Sequence, residues 1–358
     1  MSHSSLVSIL IPTYQGEKFL SETLDSALSQ TYPNLEIIIS DDGSTDKTLD
    51  IAKSYQEKTS IPFTLLAHEN MGMVNNWNNC IDKANGKYLK FLFQDDIIAP
   101  DCIEEMVNLA EQDPEMGLVF SRREIILSEE ANEVNICLDI YNSCRNLHSH
   151  WSRLNPIQSG QELLRDPKLL DNPLNKIGEP STVLIKKEVF DKVGKFDPEL
   201  LQIVDLDMWL RIMIFYKVGF IDQILSSFRL HPHQQSIKNI EIGEGNRDNL
   251  RFYKKLLTAS CYNCLPESLK LKLYKYVEKD RDDLEKQRDR GNARIKQLEE
   301  HEAELEAELR KTQSDFFRTQ AQLEEALATL EIIKNSKLGK INYAWMKFKQ
   351  ALQLSPKR

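Results

Sequence analysis

Short apolar runs alternate with helical stripes along the first third of the chain. Val7–Ile11 is mostly apolar and stops at Pro12-Thr13-Tyr14, the pattern of a buried strand meeting a loop. Phe19, Leu20, Leu24, Ala27 and Leu28 then recur at helical spacing. Leu35–Ile39 predicts a second strand. It is stopped by Ser40-Asp41-Asp42-Gly43-Ser44-Thr45-Asp46, where several residues can cap the next helix. Phe63–Ala67 predicts a third strand, Met73–Ala84 a helix, Tyr88–Phe93 a fourth strand and Cys102–Ala110 a helix. Strands alternating with helices predict βαβ units, hence an α/β fold with a mainly parallel sheet and flanking helices.

The pattern weakens between Gly117 and about Asn155, where Leu118–Phe120 and Glu124–Leu127 read as two short strands. It resumes with a loop and strand at Thr182–Ile185, a short helix Glu188–Val193 closed by Gly194, an apolar helix Leu206–Phe215 and a strand Ile224–Leu230. Leu250–Ala259 and Leu269–Val277 read as helices. From Arg281 to Lys334 there is no proline and one glycine, Gly291. Ile295, Leu298, Leu305, Leu309, Phe316, Leu323, Leu330 and Ile333 fall on an alternating three/four register, with Glu302, Thr312 and Thr319 at intervening places. That period predicts a coiled coil and a homo-oligomer, because one such stripe has no other core to bury it. The tail sets Ile341, Tyr343, Trp345, Met346 and Phe348 among Lys337, Lys340, Lys347 and Lys349. A basic aromatic segment of this kind suits either peripheral contact with an anionic membrane or docking on protein. The expected divisions are 1–240 for a catalytic domain, 241–280 for a helical extension, 281–335 for the coiled coil and 336–358 for the basic tail.

The 358 residues carry a formal net charge of −9, which argues against nucleic acid as a partner. No apolar run is long enough for a transmembrane helix. The opening Met-Ser-His-Ser-Ser has no signal-peptide pattern, and six scattered cysteines suit reduced thiols, so the expected location is cytoplasmic, either free or peripheral at the inner face of a membrane. Cys261 and Cys264 form a lone pair without the second pair a zinc site needs.

The chemistry gathers at strand ends. The strand Tyr88–Phe93 runs through Gln94 into adjacent carboxylates, Asp95 and Asp96. Unpaired acids do not belong in a core, since burying a charge alone costs several kcal/mol. In an open α/β sheet, ligands bind outside the carboxyl ends of the strands. Mg²⁺ typically takes one or two carboxylates plus substrate phosphates. The loop Pro12–Glu17 and the loop Asp41–Ser44 end neighbouring strands, and in a parallel sheet all three loops share one edge.

These segments, taken together, resemble family-two glycosyltransferases of the GT-A fold. The resemblance rests on Val-Ser-Ile-Leu-Ile-Pro-Thr-Tyr from Val7, on Leu-Glu-Ile-Ile-Ile-Ser-Asp-Asp-Gly-Ser-Thr-Asp from Leu35, and on Glu69-Asn70-Met71-Gly72. It extends through Ala84-Asn85-Gly86-Lys87-Tyr88, Gly194-Lys195-Phe196-Asp197, Val204-Asp205-Leu206-Asp207-Met208-Trp209-Leu210-Arg211 and Phe228-Arg229-Leu230-His231-Pro232, covering about residues 5–240. It implies an inverting transfer from a nucleotide-sugar donor, with Mn²⁺ or Mg²⁺, to a hydroxyl of a polysaccharide, lipid-linked or protein-linked glycan. Pro12, Thr13, Tyr14 and Glu17 would meet the nucleotide, and Asp42 its base. Asp95 would face the ribose or a metal-bound water. Asp96 would be the main metal ligand, helped by His231, and Asp205 the general base. Gln94 stands where the family's first acid does, and Val204 where a glutamate precedes the base. Two other readings remain at this stage: a nucleotidyl- or phosphoryl-transfer enzyme on a similar sheet, and a non-catalytic coiled-coil scaffold with a degenerate transferase domain.

Overall fold

The computed structural model describes residues 4–353. It forms two units, Met1–Asp280 and Arg281–Arg358. In the first unit β1 (Val7–Thr13), α1 (Leu20–Leu28), β2 (Leu35–Asp41), α2 (Thr48–Gln56), β3 (Phe63–Ala67), α3 (Met73–Lys83) and β4 (Tyr88–Phe91) alternate as expected. Then come β5 (Ile97–Ile98), α4 (Cys102–Ala110), β6 (Met116–Leu127), α5 (Asn135–Cys144), β7 (Ile157–Ser159), α6 (Gly160–Leu164), β8 (Val183–Lys186), α7 (Val189–Val193), α8 (Val204–Phe215) and β9 (Lys217–Leu230). Helices α9 (Gln235–Glu241) and α10 (Glu244–Thr258) follow, and α11 (Glu267–Asn335) begins.

Every residue of β1 and β2 is buried, because helices cover both faces of the sheet. Leu10 faces one core with Trp77, Phe91 and Trp209, while Ile9 and Ile11 face the other with Leu24, Ile103 and Met106. This period of two is what a strand between two helical layers requires. The first core also takes in Phe252, Leu256, Tyr262, Leu269 and Leu273, so the helices after residue 240 are packed into the same unit.

The strand order is β3-β2-β1-β4-β8-β6-β9-β5, with β7 on β9. The half holding β3, β2, β1 and β4 is parallel, as expected. Beyond it the sheet is mixed: β8 runs antiparallel to both β4 and β6, β6 and β9 are parallel, and β5 and β7 are antiparallel to β9. The two strands expected at Leu118–Phe120 and Glu124–Leu127 are one, β6. Its polar interruption Ser121-Arg122-Arg123 coincides with shifts of register against β9, where a bulge relaxes the alternation.

In the second unit α11 continues to Asn335 and α12 spans Lys337–Gln353. The stripe Ile295, Leu298, Leu305, Leu309, Phe316, Leu323, Leu330 and Ile333 is more than half exposed at every position in this single chain. No described helix is long and apolar enough to cross a membrane. The last five residues of the expected tail lie outside the described residues.

Candidate functional site

The loops after β1 and β2 are tied together by their own carboxylates. Thr13 Oγ1 donates to Asp41 Oδ2 at 2.8 Å, and the Ser44 N–H and hydroxyl donate to the same carboxylate at 2.9 and 2.6 Å. Asp42 is buried and accepts the Met71 N–H at 2.6 Å on one oxygen and the Gly72 N–H at 3.0 Å on the other. Those bonds need the chain to turn sharply, and Gly43 and Gly72 do so at φ of 81° and 90°. Pro12 and Thr13 are buried at this edge. Tyr14 and Glu17 are exposed, and Glu17 accepts the Lys47 N–H at 3.0 Å.

Gln94, in the place of an expected acid, has a structural task. Its Oε1 accepts the Tyr14 N–H at 2.8 Å and its Nε2 donates to the Tyr14 carbonyl at 2.9 Å. A carboxylate offers no donor for that second bond. The pairing binds the β1 loop to the β4 loop, and Gly16 lies so close that a Cβ there would collide with the Gln94 side chain.

Asp96 is fully buried. Its Oδ1 accepts the Arg229 N–H at 3.0 Å, and its Oδ2 has no partner in hydrogen-bond geometry, although the Ser181 hydroxyl is near enough to favour the charged form. Burial first, and the neighbouring Asp95 charge second, push its carboxyl well above the usual carboxylate range. Asp95 accepts from His231 Nε2 at 3.1 Å if that nitrogen carries the proton. Arg229 donates to the Asp95 carbonyl at 2.9 Å and to Glu22 at 2.6 Å, with its guanidinium over the Phe19 ring. The end of β9 is thereby locked onto the end of β4. His233 is directed to Glu130 instead, at 3.6 Å.

Asp205 opens α8. Its Oδ1 accepts the Leu206 N–H at 2.7 Å and its Oδ2 accepts Asn175 Nδ2 at 2.8 Å. Asp205 is half-buried, and that loss of solvent, reinforced by the charge of Glu179, still pushes its carboxyl up to about 7. Glu179 raises Asp96 as well, so it stands within electrostatic reach of both acids. Arg123 holds Glu179 in a two-pronged ion pair at 2.7 and 2.9 Å. Asn175 also accepts the Ile177 and Gly178 N–H groups at 3.1 and 2.9 Å, and Trp209 Nε1 donates to the Gly178 carbonyl at 3.0 Å. Below them the buried Lys176 ammonium donates to the carbonyls of Leu169, Asp171 and Pro173. Asp207 and Arg211 form a buried brace to Tyr262, Lys255 and the carbonyls of Gly194 and Lys195.

Glu179, Ser181, Asn175 and Arg123 escaped the sequence reading. The usable signal was Gly178-Glu179-Pro180-Ser181, a polar turn against an apolar strand. In an all-parallel sheet the start of a strand lies on the far edge. Because β8 is antiparallel to β4, its start lies beside the end of β4 instead, and Ser181 Oγ accepts the Phe93 N–H at 3.0 Å.

Among the described residues no three His, Cys, Asp or Glu side chains converge into a metal cage. A hard cation that shares its shell with substrate phosphates needs no cage. The unpartnered Asp96 Oδ2, with Asp95 beside it, fits such an ion: an oxygen donor is left short, and a second carboxylate stands next to it. His231 has its Nε2 on Asp95 in this arrangement, so it orients that carboxylate.

The sequence model of Glycosyl transferase family 2 matches residues 8–192. An uncharacterized glycosyltransferase of Rickettsia prowazekii is 32% identical over 65% of this chain and 66% of its own length. One of Haemophilus influenzae is 26% identical over 71% of this chain and 76% of its own. The chain thus spans just under two thirds of the Rickettsia relative's length. Among solved structures, S. aureus TarS 1-349 in complex with UDP superposes with a TM-score of 0.54 at 18% identity, over 76% of this chain and 70% of that one. A Pyrobaculum calidifontis mannosyltransferase in complex with GDP-Man and Mn²⁺ gives a TM-score of 0.51 at 17% identity, over 77% and 70%. At such identities the likeness bears on the fold.

Proposed function

The chain belongs to glycosyl transferase family 2, and from that premise we propose that its strand-end site transfers a sugar from a nucleotide-diphosphate donor to a hydroxyl, with inversion. The observation that carries the reading is Asp205, whose carboxyl is pushed up to about 7 and which shares with Asp96 the electrostatic reach of Glu179. A general base works best with a pKa near the operating pH. Support for the donor class comes from fold neighbours solved with UDP and with GDP-Man and Mn²⁺.

Tyr14 would lie against the nucleoside, in a loop whose shape Gln94 and the Asp41 and Asp42 carboxylates hold. Asp96, with Asp95 oriented by His231, would hold a Mn²⁺ or Mg²⁺ ion on the diphosphate. Such an ion supplies Lewis-acid stabilisation of the charge that grows on the leaving group. Asp205 takes the proton of the acceptor hydroxyl as that oxygen attacks the anomeric carbon. Loss of solvent, helped by the charge of Glu179, keeps Asp205 basic, and Asn175 and the Leu206 N–H hold it in place. A single displacement inverts the anomeric centre, and no second nucleophile is needed. The acceptor is a glycan or lipid-linked hydroxyl, and the exposed seam of α11 joins copies of the chain in a coiled coil.

The test is a thermal-shift panel of nucleoside diphosphates with and without Mn²⁺, followed by NMR of the product formed from the stabilising donor. A ligand that binds the folded state raises the melting temperature. Stabilisation by one nucleoside diphosphate only when the cation is present, then a product of inverted anomeric configuration, is the expected result. No stabilisation by any nucleoside diphosphate overturns the donor site. Retained configuration overturns the role of Asp205.

A further inference from the structure

In α12, Leu338, Ile341, Trp345 and Phe348 are exposed by 78%, 67%, 59% and 65%. Their spacing of three, four and three places them within about 80° of arc on one face. The helix is set apart from α11 at Ser336: its hydroxyl accepts the Gly339 N–H at 3.0 Å, and a Cβ on Gly339 would collide with the Ile333 carbonyl. Within Lys337–Gln353 there are four lysines and no acid, in a chain whose net charge is −9. Lys337 and Lys349 stand at the two margins of the apolar face. Lys340 and Lys347 lie further round, but a helix is only about 10–12 Å across, comparable to a Debye length of about 10 Å.

The same spacing also builds coiled-coil seams. The charges separate the two occupants. A second copy of this helix offers its lysines no carboxylate, whereas anionic headgroups offer one to every lysine. The aromatic content points the same way. Trp345 is a residue type that favours the membrane–water boundary, and Lys349 lies 5.0 Å from its ring, its charge at the edge of an apolar surface.

We propose that α12 is a membrane-surface helix that lays its Leu338–Ile341–Trp345–Phe348 face into a bilayer rich in anionic lipid. It lies in the plane of the surface, since it is too polar to cross. This does not depend on the transferase reading. The electrostatic and apolar contributions are separable, because the lysines act at a distance and the apolar face only on insertion.

The experiment is flotation of the full chain with vesicles of phosphatidylcholine, with and without phosphatidylglycerol. The wild type is expected to bind the anionic vesicles at least ~10-fold better, and to be released as salt is raised. Trp345→Glu/Phe348→Glu and Lys347→Glu/Lys349→Glu should each reduce binding by ~10-fold or more. These side chains are exposed, so melting temperature and sugar-transfer activity in detergent-free buffer should stay at the wild-type level. Equal binding of both vesicle types, or double variants that float like the wild type, overturns the proposal. So does a change in oligomeric mass of the variants with flotation unaltered, which would make this face a contact between copies.

Discussion

Asp42 and Asp96 are both buried aspartates just past the ends of parallel strands, and the fold treats them in opposite ways. Asp42 has an N–H on each oxygen, from Met71 and Gly72. Asp96 has one N–H on Oδ1, nothing on Oδ2 and a second carboxylate next door. Asp205 resembles Asp96 in outcome: two donors do not offset its burial and the charge of Glu179. A carboxylate that ties two backbone N–H groups together brackets a loop. One pushed upward by loss of solvent and a neighbouring acid is poised for a ligand or a proton, because an incoming charge relieves that cost.

The comparison is most exposed to failure at Asp205. Asp205→Asn should cut kcat by about 10²–10⁴-fold with donor affinity unchanged, measured by turnover and by donor titration. A loss of donor affinity instead would move Asp205 out of the base role. Next in size, Asp96→Asn should weaken cation-dependent donor binding by ~10-fold or more, and should not lower the melting temperature of the free chain, since it removes an underpaired charge. A large fall in melting temperature would place Asp96 with Asp42. Asp42→Ala should do the reverse. It strands the Met71 and Gly72 N–H groups and costs about 1–3 kcal/mol of stability by denaturant unfolding.

The smallest effect is on pH dependence. The Asp205 carboxyl titrates near 7 when folded and near 4 in an unfolded chain. The folded state therefore binds the extra proton between those values, and stability falls as pH rises through that window. Activity moves the opposite way, rising as Asp205 loses its proton near 7. Melting curves from pH 4 to 8 should show a decline that is smaller in Asp205→Asn. Identical slopes in the two proteins would remove the buried-acid account.

Much of the parallel half was legible because its information is local. Each strand from Val7 to Phe91 is a nearly continuous apolar run, each ends at Pro, Gly or acidic residues, and each is followed by a 3.6-period stripe. Asp95 and Asp96 stood out because charge against an apolar run is costly and therefore visible, whereas Asp42 and Asp205 were marked by the family resemblance. What each does was less legible. Gln94 reads as a missing acid, yet it is a two-bond clamp on Tyr14, a role that depends on a chain segment 80 residues away.

The sequence by itself determined the alternation of strands and helices, the strand-end loops that carry the acids, and the exposed seam of α11, since these follow from periodicity within a few turns of chain. Only the tertiary structure decided the direction of β8. That direction brings the start of β8 to the end of β4 and sets Glu179 within reach of both Asp96 and Asp205, where its charge adds to the rise that loss of solvent already imposes on their carboxyls. A four-residue strand reads the same in either direction. Its neighbours, and the charge field they create, exist only once the sheet has closed around it.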